Sequence, residues 1–213
     1  MKSMVIAASL LSLVLAGPAA AAEGIQATDT QSSAVALFEE GTGFLLDRKL
    51  EEAEKAFRQA VALDPNYAEA YASLGKVLVQ QEQYEEAVRQ FSKALELSAT
   101  DVSAHFNRGA ALLRLKRLGE AIGDFTEVIR VYPKNQAAYN IRGIAKFEQG
   151  RTDEAIEDYT MAIQLNPGYA KAYNNRAIAY LKQGKNAEAE RDFAKAGQSM
   201  PGPGEKRPSQ CAF

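Results

Sequence analysis

One residue type marks out the whole chain: alanine recurs every 34 positions, at Ala53, Ala87, Ala121, Ala155 and Ala189. A fixed period of this length, without insertions, constrains the fold more than composition does. Each copy must adopt the same local structure and bury its apolar face against the next. Other residue types keep the same register. Four positions after each alanine lies an aromatic: Phe57, Phe91, Phe125, Tyr159 and Phe193. Twelve positions before it lies a small residue: Gly41, Gly75, Gly109, Gly143 and Ala177. Seven after it come Ala60, Ala94, Val128, Ala162 and Ala196. Twelve after it stand Pro65, Pro133, Pro167 and Pro201, with Ala99 in the second copy.

Each feature has a physical reason. Apolar residues at i, i+3, i+4 and i+7 give a helical period. Small residues let two helices approach closely, and the aromatic fills the wedge between a hairpin and its neighbour. Proline cannot extend a helix and opens the next turn. Leu63-Asp64-Pro65-Asn66 and Leu165-Asn166-Pro167-Gly168 therefore read as helix ends with turns.

This pattern resembles the tetratricopeptide repeat (TPR) family, with its large residue, Leu-Gly, large residue, alanine, aromatic, alanine and proline. The resemblance implies an all-α fold, a right-handed α–α superhelix or solenoid of five helical hairpins. The repeats would span 34–67, 68–101, 102–135, 136–169 and 170–203. Three residues depart from the pattern. Lys146 replaces a large apolar residue, and Thr152 and Asn186 replace the turn aromatic. These changes are expected to loosen repeats 4 and 5. Repeat 5 also ends the stack: Glu190, Gly197 and Ser199 stand where repeat 4 has Ile156, Ile163 and Leu165. A terminal repeat needs such a polar outer face. The residues after it carry Pro201, Pro203 and Pro208, so 204–213 reads as a disordered tail.

The first 22 residues read as an export signal. Lys2 is followed by an apolar stretch from Val5 to Leu15, Gly17 and Pro18 break it, and cleavage is expected after Ala22. The stretch is too short to span a bilayer. Pro18 stands where a lipoprotein would carry cysteine, so no lipid anchor is expected, and residues 23–33 form a linker. The mature chain is thus expected in the periplasm or secreted, with no membrane span. Cys211 is the only cysteine, so no intramolecular disulfide can form; it is either a free thiol or a link between chains.

A second covariation runs inside the repeats. Repeats 3, 4 and 5 carry Arg108, Arg142 and Arg176 together with Asp124, Asp158 and Asp192. Repeats 1 and 2 have Glu40 with Ala56, and Leu74 with Gln90. Each arginine brings its own acid, which favours one charge-assisted bridge per repeat over the alternative of an anion-binding arginine row.

In the family the first helix of each hairpin lines a concave groove. Its positions correspond in repeat 1 to Val35, Phe38, Thr42, Leu45 and Leu46. Carried through the array, the resemblance gives partner-binding candidates Phe38, Leu45, Phe106, Leu113, Ile144, Phe147, Ile178 and Leu181. These predict an exposed apolar strip, suited to an amphipathic helix or an extended apolar segment, the alternative being that some of them pack against the chain's own tail or between hairpins. Asn140 and Asn174 hold equivalent positions one repeat apart, where paired amides either grip a peptide backbone or face solvent. The family's carboxylate clamp is missing.

Catalytic signals are absent. His105 is the only histidine and replaces Leu37, Tyr71, Tyr139 and Tyr173 in other repeats, so it reads as a packing residue. There is no Cys/His cluster for a metal and no phosphate loop. The net charge of −2 does not suit a nucleic-acid binder. The expectation is a non-catalytic scaffold or adaptor without cofactor or metal, binding a protein or peptide partner in the bacterial envelope. The alternative is a periplasmic holdase chaperone.

Overall fold

The computed structural model describes residues 18–197, with side chains from residue 30 onward. Ten α-helices follow one another over this span: α1 (Pro18–Leu46), α2 (Leu50–Leu63), α3 (Ala68–Gln80), α4 (Tyr84–Leu97), α5 (Val102–Arg114), α6 (Leu118–Val131), α7 (Gln136–Glu148), α8 (Thr152–Leu165), α9 (Ala170–Lys182) and α10 (Asn186–Lys195). They pair in succession into five hairpins, and each hairpin packs on the next. The result is an all-α solenoid.

The periodic residues explain the pairing. Phe57, Phe91, Phe125, Tyr159 and Phe193 are all buried. In the first four hairpins the ring presses directly on the small residue of the partner helix. A Cβ placed on Gly41, Gly75, Gly109 or Gly143 would lie 2.9, 2.8, 3.0 or 2.6 Å from a ring carbon. No side chain fits there without moving the ring, which is why the position stays small.

The hairpin turns use a second periodic device. Arg48, Glu82 and Lys116 have φ of 60°, 61° and 60°, and Gly150 and Gly184 have 82° and 75°. The next residue's N–H reaches back to close the helix end: Lys49 to the Phe44 carbonyl at 2.9 Å, Gln83 to Leu78 at 2.8 Å and Arg151 to Lys146 at 2.9 Å. This left-handed closure satisfies carbonyls that the helix leaves unpaired. A side chain at such a φ is strained, whereas glycine is not. Glu82→Gly is therefore expected to raise the unfolding free energy by about 0.5–1 kcal/mol, after the entropy lost by a glycine. Urea unfolding checks it, and a lowered midpoint would contradict it.

Helix starts match the acid-rich sequence. Glu51 and Glu52 lie in the first turn of α2, and Glu85 and Glu86 in that of α4, near the positive end of each helix dipole. Two readings need correction. Segment 23–33 is not a linker but belongs to α1, which is longer than every other helix described. Lys146, expected to loosen repeat 4, is instead buried there and ion-paired with Asp158. At the far end Glu190 and Gly197 are exposed, while the repeat-4 counterpart Ile163 is buried beside Ala172. Residues 1–17 of the export segment lie outside the described residues, as do Ser199, Cys211 and the rest of the tail.

Candidate partner-binding face

The curvature of the stack follows from which helices meet. Each odd-numbered helix touches the next odd one, from α1 with α3 to α7 with α9, whereas no even-numbered helix touches another among the described residues. The odd helices are thus crowded on the inner side, and α1, α3, α5, α7 and α9 form the concave face.

That crowding alters the expected apolar strip. Leu113, Ile144, Phe147, Ile178 and Leu181 are buried and join one core cluster. They lie in the seams between neighbouring first helices, where the inner sides of the hairpins meet. They hold the array together rather than facing solvent. Phe38, Leu45 and Phe106 are half-buried. The openly apolar positions are Val35, 40% exposed, and Leu46, 81% exposed, both on α1. Charges overlie the buried seams further along. The Lys182 ammonium sits 4.7 Å from the centre of the Phe147 ring, a cation–π contact. Lys116 donates to Glu148 at 2.8 and 2.9 Å across a repeat boundary. The inner face therefore runs from apolar at repeat 1 to charged over an apolar seam at repeats 3 to 5.

Asn140 and Asn174 do share this region, but neither is a solvated surface amide. Both are buried. The Asn140 side-chain oxygen accepts from the Asn175 amide at 3.1 Å, while the Asn140 Nδ2 has no hydrogen-bond partner among the described residues.

The arginine–aspartate pairs form in all three repeats, with both ends of the guanidinium engaged. Arg108 donates to Asp124 through Nε at 2.9 Å and Nη2 at 2.7 Å. Arg142 and Asp158 repeat these distances. Arg176 and Asp192 meet at 2.7 and 2.9 Å. The hydrogen bond to Asp192 holds the Arg176 pKa above its ordinary value, outweighing the opposing effect of burial. Such forked pairs add geometric specificity to charge attraction.

Sequence reasoning missed what the third nitrogen does. Nη1 of Arg108, Arg142 and Arg176 donates to the hydroxyl of Ser92 at 3.0 Å, Thr126 at 3.2 Å and Thr160 at 3.0 Å. Each arginine thus ties its own hairpin to the preceding one. The signal was available, because these hydroxyl residues also lie 34 apart and the equivalent in repeat 1 is Arg58. Two further side chains join the acids. Lys146 lies 2.9 Å from Asp158. His105 is more than a packing residue, since its Nδ1 lies 2.8 Å from Asp124 and its Nε2 lies 3.3 Å from the Ala99 carbonyl oxygen.

Comparison with known families decides the classification. A TPR repeat model matches residues 49–81, 75–116 and 143–184, and a tetratricopeptide repeat model matches 102–135 and 170–203. The chain belongs to the tetratricopeptide-repeat family. TPR proteins are structural and adaptor proteins, and this TPR chain is an interaction protein, not an enzyme. Its fold is similar to several solved TPR structures. A crystal structure of MamA superposes with a TM-score of 0.74 at 26% identity, over 77% of this chain and 90% of that one. MamA 41-end from Desulfovibrio magneticus RS-1 gives 0.75 at 23% identity, over 78% and 93%. YrrB, described as a TPR protein with an unusual peptide-binding site, gives 0.70 at 24% identity, over 76% and 84%. No match was found among curated proteins. Among the described residues, no helix is long and apolar enough to cross a membrane, and no cluster of His, Cys, Asp and Glu is placed to hold a metal.

Proposed function

We propose that this TPR chain is an exported scaffold of the bacterial envelope whose concave face holds an extended segment of a partner polypeptide. The observation that carries the reading is the open apolar surface at the first hairpin. Val35 and Leu46 are exposed there beside half-buried Phe38 and Leu45. An apolar patch on an inner face costs solubility unless something covers it. The seams further along supply a rigid floor and a charged rim, which suits an extended segment lying across several repeats. Export rests on the Lys2-led apolar segment and the small residues up to Ala22.

The test uses the full chain in cells, with a photo-crosslinking residue at Val35 or Leu46 on the inner face, or at exposed Gln59 on α2. The expected result is one recurrent polypeptide joined to both inner positions and not to Gln59. Val35→Lys with Leu46→Lys should weaken that capture at least tenfold while leaving the unfolding midpoint unchanged, because both side chains are exposed. Equal labelling from Gln59, or capture that survives the two lysines, would refute the groove. Labelling of many unrelated clients would mark a holdase instead. Mass measurement of the mature chain should show a start at Glu23.

A further inference from the structure

Repeats 1 and 3 place a phenylalanine at the same position, Phe38 and Phe106, both half-buried, but only Phe38 has a second ring over it among the described residues. Phe38 rests on Phe57 at 5.6 Å between ring centres, and Tyr67 lies over it at 5.0 Å. Phe106 rests on Phe125 at a similar distance, 5.4 Å, but edge-on rather than tilted. The residue equivalent to Tyr67 is Asn135, and it is committed elsewhere: its side-chain oxygen accepts from the Ala138 N–H at 3.0 Å and starts α7. No second ring lies over Phe106 among the described residues. A cleft of about 520 Å³ opens there instead, between the start of α5 and the end of α6. Val102, Ser103 and Asn107 line it beside Phe106, with Val128 fully buried beneath. Tyr132 also lines it and is 58% exposed, where repeats 1, 2 and 4 have Asp64, Ser98 and Asn166 and repeat 5 has Met200. Two differences from repeat 1 thus meet in one place. An aromatic is missing over Phe106, and an exposed aromatic has been added at the rim.

We propose that this cleft is a pocket for one aromatic side chain of a partner polypeptide, seated on Phe106 as Tyr67 is seated on Phe38. The occupant is read from the molecule itself. Repeat 1 shows which group fills this geometry, and stacked or tilted ring pairs favour an aromatic over an aliphatic chain of similar size. Phe106 belongs to α5 on the inner face, so the pocket continues the proposed groove. It depends on that reading only in taking the ligand to be a polypeptide.

The experiment titrates the ¹⁵N-labelled full chain with N-acetyl-tyrosinamide, with N-acetyl-leucinamide as the aliphatic comparison. The tyrosine probe should shift the resonances of Ser103, Phe106, Asn107 and Tyr132 and bind at least fivefold tighter than the leucine probe. Asn135→Tyr, which rebuilds the repeat-1 arrangement, should weaken binding at least tenfold. It should fold, because Tyr67 and Tyr169 precede α3 and α9 at the same position without a side-chain cap. Phe106→Ala, matching Ala72 of repeat 2, should lose binding too. The pocket is overturned by no shift at these residues, by equal affinity for leucine, or by tyrosine binding that survives both variants. If crosslinks at Val35 and Leu46 persist while the probe fails, the pocket falls and the groove stands; the reverse pattern does the opposite.

Discussion

Replacing Asp158 by alanine is expected to destabilise the protein by about 3–5 kcal/mol, because it takes the acid from buried Lys146 and half-buried Arg142 at once. The Asp158 side chain is 5% exposed, accepts hydrogen bonds from Arg142, 16% exposed, and is ion-paired with Lys146, 11% exposed. Neither cation is free to turn fully into water. Lys146 retains only a 4.0 Å contact with Glu154, itself engaged by Arg151 at 2.6 Å. Asp192→Ala should cost less, since the contacts described for Asp192 come from a single cation, Arg176. Removing a whole pair is a different matter. Arg176→Leu with Asp192→Gln copies repeat 2, which has Leu74 and Gln90, and should stay within about 1 kcal/mol of the parent. Urea unfolding of the four proteins measures this. An Asp158→Ala variant as stable as the parent would show that the bridges add nothing to the array.

Gly143→Ala is the second large expected effect, a loss of about 1–3 kcal/mol from overpacking. The added Cβ would lie 2.6 Å from Tyr159 Cε1 and 2.9 Å from Cδ1. Tyr159 is fully buried, so its ring has no open direction in which to swing. Helix propensity alone favours alanine over glycine, so a loss of this size isolates the steric term. Repeat 5 provides the converse. Ala177 occupies the equivalent place, with Phe193 still buried. Nothing described packs beyond α10, so the last hairpin has room to open slightly. Ala177→Gly should therefore lose only about 0.5–1 kcal/mol, from backbone entropy. Thermal or urea midpoints separate the two. If Gly143→Ala matches the parent, close packing of ring on backbone is not what keeps this position small.

Much of the site was written in the same period as the fold, but not its exposure. The pairing of Arg142 with Asp158 was legible because two changes occur together in three repeats and in neither of the others. The link from Arg142 to Thr126 was equally periodic, yet it crosses a repeat boundary, and reading each repeat alone hides it. Ile144 and Ile178 were legible as inner-face residues. Their burial was not, because it depends on how closely one first helix approaches the next.

The sequence by itself determined the helices, their pairing and the family, because a 34-residue register of glycine, alanine and aromatic admits one local hairpin and repeats it. Only the tertiary structure decided which inner-face positions remain open. The spacing between hairpins sealed Ile144, Phe147, Ile178 and Leu181 into seams, left Val35 and Leu46 exposed at the first hairpin, and left Phe106 half-covered beside a cleft. Periodicity fixes the direction in which a side chain points, but whether water reaches it depends on neighbours that a single repeat does not contain.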